Sequence, residues 1–180
     1  MKKPVVVGCL TVLFVVIAGG VFFRAALPFR EQLRLYEAQS SAGVGEAFFL
    51  SEGALQGASI GFYVRDPSKA TPTPQFISCI WSADGGGQNF YSATWSRDGS
   101  VIAINARDTP PEWMCAYDFR NHIPVFPPTG TSTVDTIQQL LDERGGMGVV
   151  ALMKDDLHHN GHSISSQVRR QFRTARYGAK

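Results

Sequence analysis

Asp155-Asp156-Leu157-His158-His159-Asn160-Gly161-His162 places three imidazoles and two carboxylates within eight residues. These are the ligand types that zinc or nickel would take. A catalytic zinc also needs ligands held rigidly with one position left open. Asn160-Gly161 interrupts any helix that would align His158 with His162, so the ligands come without an evident scaffold. The bland counterpart is a solvated loop. A metal-dependent activity at His158, His159 and His162 is therefore the alternative function for this chain, and no cofactor is assigned.

Cysteine chemistry is the second candidate. Cys9 lies in an apolar N-terminal run, which leaves Cys79 and Cys115 as a disulfide candidate in an oxidising compartment. In a simple meander their strands are not neighbours, and two small buried hydrophobes are the competing reading.

Other motifs carry no chemistry. Gly85-Gly86-Gly87 follows a strand-like run but does not open a helix, so it does not cradle phosphate, and Gly43-x-Gly45 and Gly145-Gly146-x-Gly148 fail alike. No Gly-x-Ser-x-Gly elbow exists for a serine nucleophile. Asp84, Asp98, Asp108 and Asp118 recur at turns or strand ends, where acidic residues cap a sheet, and nothing implies a carboxylate pair across a cleft. Trp81, Trp95 and Trp113 read as sheet packing. No catalytic residue is assigned, and the chain is not expected to be an enzyme.

The elements that position these residues are clearest over residues 90–119. Residues 90–96 and 100–107 are β-branched, aromatic or small, as half-buried strands prefer. Arg97-Asp98-Gly99 between them is hairpin chemistry, since Asp bonds its own backbone and Gly accepts a positive φ. Val101 and Ala103 point to one face, with Ile102, Ile104 and Ala106 on the other, which predicts a central strand covered on both sides. Beyond Pro110-Pro111, Trp113, Cys115, Tyr117 and Phe119 alternate with Met114, Ala116 and Asp118, which predicts a third strand with one aromatic face.

Residues 92–125 resemble one blade of a WD-repeat-like β-propeller, in the hairpin Trp95-Ser-x-Asp98-Gly-Ser-x-Ile-Ala103 and the closing Tyr117-Asp118. The resemblance implies a four-stranded meander whose usual work is binding partners, and it transfers no catalytic residue. The sequence holds one copy, whereas a propeller stacks several.

Around this centre the chain divides into segments 1–27, 28–45, 46–156 and 157–180. Residues 5–23 are nineteen residues without a charge, preceded by Lys2-Lys3. As a helix they measure about 28 Å, close to the hydrocarbon thickness of a bilayer. This length predicts a single-pass signal anchor in contact with membrane lipid. The alternative is a signal peptide cleaved after Ala18-Gly19-Gly20, which leaves a secreted body. The basic start places the body outside the cytoplasm, although Arg24, Arg30 and Arg34 balance Lys2 and Lys3. Residues 28–40 read as a stalk helix started by Pro28, with Phe29, Leu33 and Tyr36 as its stripe, and 41–45 as a hinge.

Strands are expected over 46–50, 59–65 and 75–82, giving an antiparallel meander of five or six strands in a mainly β (α+β) fold. A helix capped by Ser132 or Thr133 and running to Arg144 would cover one face through Val134, Ile137, Leu140 and Leu141. A last strand is expected over 148–153, a polar loop over 155–162, and a basic helix or tail over 163–177.

Net charge is +2, but it is segregated. Residues 1–45 carry +3, residues 46–156 carry −6 and residues 157–180 carry +5. In the last segment Ile164, Val168 and Phe172 lie opposite Arg169, Arg170, Arg173 and Arg176, a candidate surface for a membrane, a protein partner or the acidic body itself. The acidic sheet offers no basic groove for nucleic acid. The sequence thus reads as a membrane-anchored binding or structural module.

Overall fold

A computed structural model describes residues 32–54, 57–69, 73–82, 89–108, 110–128, 135–159 and 161–178. The apolar run 5–23, Asp84, the triglycine and residues 132–134 lie outside the described residues. In chain order the strands are β1 (Gln32–Gln39), β2 (Glu46–Ala54), β3 (Gly57–Arg65), β4 (Gln75–Ser82), β5 (Ser92–Ser96), β6 (Val101–Asp108), β7 (Pro111–Asp118), β8 (Ile123–Val125), β9 (Met147–Met153) and β10 (His162–Ser163). The helices are α1 (Thr136–Glu143), α2 (Asp156–His159) and α3 (Ser166–Tyr177).

The mainly β reading holds, but the strands divide into two antiparallel sheets rather than one meander. The first has the order β10-β1-β2-β3-β4 and the second β8-β7-β6-β5-β9. Phe49, Phe62 and Ile80 of the first pack in one cluster with Phe90, Ile102, Ile104, Tyr117 and Phe119 of the second. Phe49 stacks on Phe62 at 5.4 Å and on Phe90 at 6.3 Å between centroids. Burying each such side chain stabilises the fold by about 1.5–3 kcal/mol.

Each sheet is also covered on its outer face. Ile137 and Leu141 of α1 pack on Val101, Ala103, Trp113 and Ala116. Phe172 of α3 packs on Leu35, Phe48, Leu50 and Tyr63. The layers are therefore helix, sheet, sheet, helix. β6 is the two-faced central strand that its sequence predicts, with Val101, Ile102, Ala103 and Ile104 all fully buried.

Several local expectations are corrected. Residues 32–39 form a strand, not a stalk helix: Leu35 packs outward under α3 while Ala38 and Tyr36 pack inward, a period of two. Its polar residues Gln32, Arg34, Glu37 and Gln39 disguised the alternation. Residues 41–45 are the tight turn between β1 and β2, with Ser40 and Gly45 hydrogen-bonded across it, and not a hinge.

In β7 the single aromatic face is broken by a bulge. Ile104 pairs with Cys115 but Asn105 with Trp113, so Met114 is an extra residue. Trp113 is thereby turned to the outer face under α1, while Cys115, Tyr117 and Phe119 face the interior. Two bulges likewise break the period-two alternation along β4.

α1 is capped by Asp135, whose carboxylate accepts from the amides of Ile137 and Gln138, in place of the expected Ser132 or Thr133. Residues 155–162 are not a plain loop: α2 inserts Leu157 into the interior.

Candidate functional site

The polar groups with the densest bonding gather at one end of the sandwich, where the β1–β2 turn, the end of β3, the β5–β6 hairpin and the β7–β8 turn meet. Asp66, directly after β3, is 5 % exposed. Its Oδ2 accepts from the phenol of Tyr117 at 3.0 Å and lies 2.7 Å from Nδ1 of His122. Its Oδ1 accepts from the amide of Ser68 at 3.0 Å and from the Ser68 hydroxyl at 2.6 Å. Burial raises the Asp66 carboxyl, but the bonds from Ser68, His122 and Tyr117 outweigh it and hold it below the usual carboxylate value. Tyr117 moves up, through burial first and then through the adjacent Asp66 charge.

Ser, His and Asp side chains thus touch one another, yet the wiring is not that of a serine nucleophile. That chemistry puts the hydroxyl on one ring nitrogen and the carboxylate on the other. Here Ser68 Oγ lies 2.9 Å from the same Nδ1 that faces Asp66. The Ser68 hydroxyl donates to Asp66 Oδ1 at 2.6 Å, and hydroxyl and carboxylate meet one ring nitrogen, so the imidazole does not stand between them as a relay. What remains is a half-exposed His122 whose Nε2 is not engaged by this cluster. It can serve as a proton acceptor or a single ligand, within a clamp that joins the two sheets.

Two further aspartates complete this end. Asp98 Oδ1 accepts from the Ser96 hydroxyl and from the amide and hydroxyl of Ser100, and its Oδ2 pairs with Arg120 at 2.9 Å. Burial raises its carboxyl and these donors more than offset that, so it too sits low. Asp118 accepts from the amides of Arg120 and Asn121 and pairs with Arg144 at 3.1 Å. The Ser-x-Asp-Gly-Ser motif of the hairpin is therefore a self-contained turn clamp, with Gly99 at the positive φ of 71° that its position demands. Asp98 and Asp118 occupy the turn and strand end foreseen for them.

The other expected residues fall elsewhere. His162 is on β10, paired in register with Leu35, and its Nε2 lies 4.0 Å from Glu37. His158 and His159 belong to α2, and their side chains lie outside the description. Among the described residues no group of three His, Cys, Asp or Glu side chains is placed to hold a metal. Cys79 and Cys115 are separate free thiols. Cys115 faces the interior of the second sheet, whereas Cys79 registers against Gly61, on the α3 side of the first. The first sheet stands between them, so the disulfide does not form. Burial pushes the Cys115 thiol up to about 12.

The arginines act in part as the acidic-body reading proposed. Arg173 and Arg176 both reach Glu52 at 3.5 Å, and Arg176 lies over the Phe76 ring. Ile164, Val168 and Phe172 are spent on the sheet. Arg169, Arg170 and Arg173, with Tyr177, line an open groove of about 550 Å³ on the outer side of α3.

Comparison of the chain with known protein families, curated proteins and solved structures yields no match. The site that sequence reasoning missed is Asp66 with His122. A lone histidine after a strand and an aspartate before a proline carry no spacing signal, since their 56-residue separation is closed only by the packing of two sheets.

Proposed function

We propose that this chain is a membrane-anchored, non-enzymatic binding module with its body outside the cytoplasm. Among the described residues no helix is long and apolar enough to cross a membrane, so the anchor in this reading is the charge-free run 5–23.

The observation that carries the reading is the placement of the basic helix relative to the start of β1. Leu33, one residue into β1, is in register with Glu52. Glu52 is the residue that Arg173 and Arg176 grasp. The C-terminal half of α3 and the entry of the chain from its apolar segment therefore share one end of the first sheet. An anchor at that entry brings the arginines of α3 to the headgroup level, where each basic residue adds about 1 kcal/mol of attraction to anionic lipid. The clamp around Asp66, at the far end of the same strands, then points away from the bilayer.

The test is the intact mass of the protein taken from an alkali-washed membrane fraction. A full-length mass in the pellet is expected. Recovery in the soluble fraction, or a mass lacking roughly the first twenty residues, overturns the anchor.

A further inference from the structure

Six residues of α3 fall on one stripe of the helix. Ser166, Arg169, Arg170, Arg173, Thr174 and Tyr177 recur at intervals of three and four, the spacing that stacks side chains along a single face. At 1.5 Å per residue the stripe is about 17 Å long. These residues line the groove of about 550 Å³ on the side of α3 turned away from the sheet, a volume within the range of clefts that hold small ligands.

The chemistry of the stripe is one-sided. Its side chains are guanidinium or hydroxyl groups, all of which donate hydrogen bonds. α3 contains no acidic residue, and residues 157–180 carry five basic residues against none. Arg176, which the sequence pattern groups with the other arginines, is drawn inward to Glu52 and its side chain is 14 % exposed. Arg170, at the middle of the stripe, is exposed. Forked guanidinium groups beside rotatable hydroxyls match a phosphate group, whose oxygens accept two at a time from one fork.

We propose that this groove binds the phosphate of an acidic phospholipid headgroup, held as a ligand and not only as bulk surface charge. The inference rests on the anchored reading above and names the partner of α3 within it. Three observations choose a lipid. Ile164, Val168 and Phe172 are committed to the sheet, so the stripe lacks the apolar centre that a protein partner would bury. Tyr177 at its end is 61 % exposed, an amphipathic ring of the kind that settles at headgroup level. The C-terminal half of α3 lies at the end of the first sheet where the chain enters from 5–23, and an anchor there presents headgroups to the groove at high effective concentration.

The full-length chain in a non-ionic detergent, titrated with phosphatidylglycerol and followed by native mass spectrometry, tests this. One phosphatidylglycerol retained per chain is expected. Phosphatidylcholine, whose ammonium would face the arginines, should be retained far less. Arg170→Glu should weaken retention by about tenfold or more, since it removes a cation and sets a carboxylate against the phosphate. Arg170→Lys keeps the charge but loses the fork, and should fall between the two. The melting temperature of Arg170→Glu should match that of the parent, because the residue is exposed; if that variant does not fold, Arg170→Ala takes its place. Equal retention by parent and variant overturns the proposal. Displacement of the lipid by inorganic phosphate at equal concentration would make the groove a soluble-anion site, and tighter binding of polyglutamate would assign it to an acidic protein; either result overturns the lipid. The anchor is judged separately. A chain that stays in the alkali-washed membrane yet retains no phosphatidylglycerol keeps the anchor and loses the groove, whereas a soluble chain that still retains the lipid upholds the groove and loses the anchor.

Discussion

The phenol of Tyr117 donates to Oδ2 of Asp66 across 3.0 Å, and so joins the end of β3 in one sheet to β7 in the other. The bond is buried at both partners and is reinforced by Ser68 and His122 on the same carboxylate. A carboxylate so surrounded is a structural joint before it is anything else.

Replacing Asp66 with Asn presents an amide to several donors and should cost about 1–3 kcal/mol. The pH dependence has a definite sign. Asp66 and Asp98 titrate below the unfolded value of about 3.9, so their contribution is complete above that value and fades as pH falls through the folded ones. Thermal melts from pH 6 to pH 2 should therefore show an acid limb that is shallower in Asp66→Asn. An identical limb in both proteins would mean that Asp66 is not a stabilising charge.

His122 holds a positive φ of 60° while making its bond to Asp66. His122→Ala and His122→Gly lose that bond equally, but only glycine is at ease in this backbone region. The Gly variant should be the more stable of the two by about 1 kcal/mol in denaturant titration. The reverse order would show that the ring bonds, not the turn, set the backbone.

Gly45 abuts the Phe119 ring so closely that a methyl group there would lie 2.1 Å from a ring carbon. Gly45→Ala should destabilise by about 1–3 kcal/mol through overpacking. Phe119→Leu in the same chain should recover part of the loss, a non-additivity expected of residues in contact. Strict additivity would place the conflict elsewhere.

The two thiols should behave differently. At pH 8 an alkylating reagent should modify half-buried Cys79 in the native protein, and Cys115 only after unfolding, because burial holds its thiol near 12. The mass without reductant should be that of unlinked Cys79 and Cys115. A native loss of two mass units mapped to this pair would contradict the opposed faces of their strands.

Truncating Phe172 to Ala removes the ring packed edge-on against Tyr63 at 4.8 Å and against Phe48 at 5.6 Å. A loss of about 3–5 kcal/mol is expected, with faster tryptic cleavage in α3. Arg170→Glu, on the exposed side of the same helix, should change stability by no more than about 0.5 kcal/mol.

Local chemistry was legible where the residues that decide a structure are neighbours in sequence. The hairpin at Asp98-Gly99 is settled by bonds spanning five residues or fewer, and both faces of β6 are declared by its own side chains. Met114 shows where that stops. Whether one residue in a run of five apolar or aromatic positions bulges depends on how Trp113 and Glu112 meet Asn105, which lies on another strand. β1 failed for a related reason, since its charged and amide side chains read as a helix surface until β2 and β10 are known to flank it. The clamp of Asp66, Ser68, Tyr117 and His122 was invisible because each member is ordinary alone, and only the meeting of two sheets makes them a cluster.

The first sheet is assembled from both halves of the chain, with β1, β2 and β3 made early and β10 and α3 made last. On a ribosome the outer faces of Phe48, Leu50 and Tyr63 are complete 109 residues before Phe172 arrives to cover them. Contacts of such sequence separation form slowly, and the nascent chain carries a bare aromatic surface through most of its synthesis. The time between those two events is when this protein is most exposed to chaperones and to misassembly, and shortening α3 would extend it indefinitely.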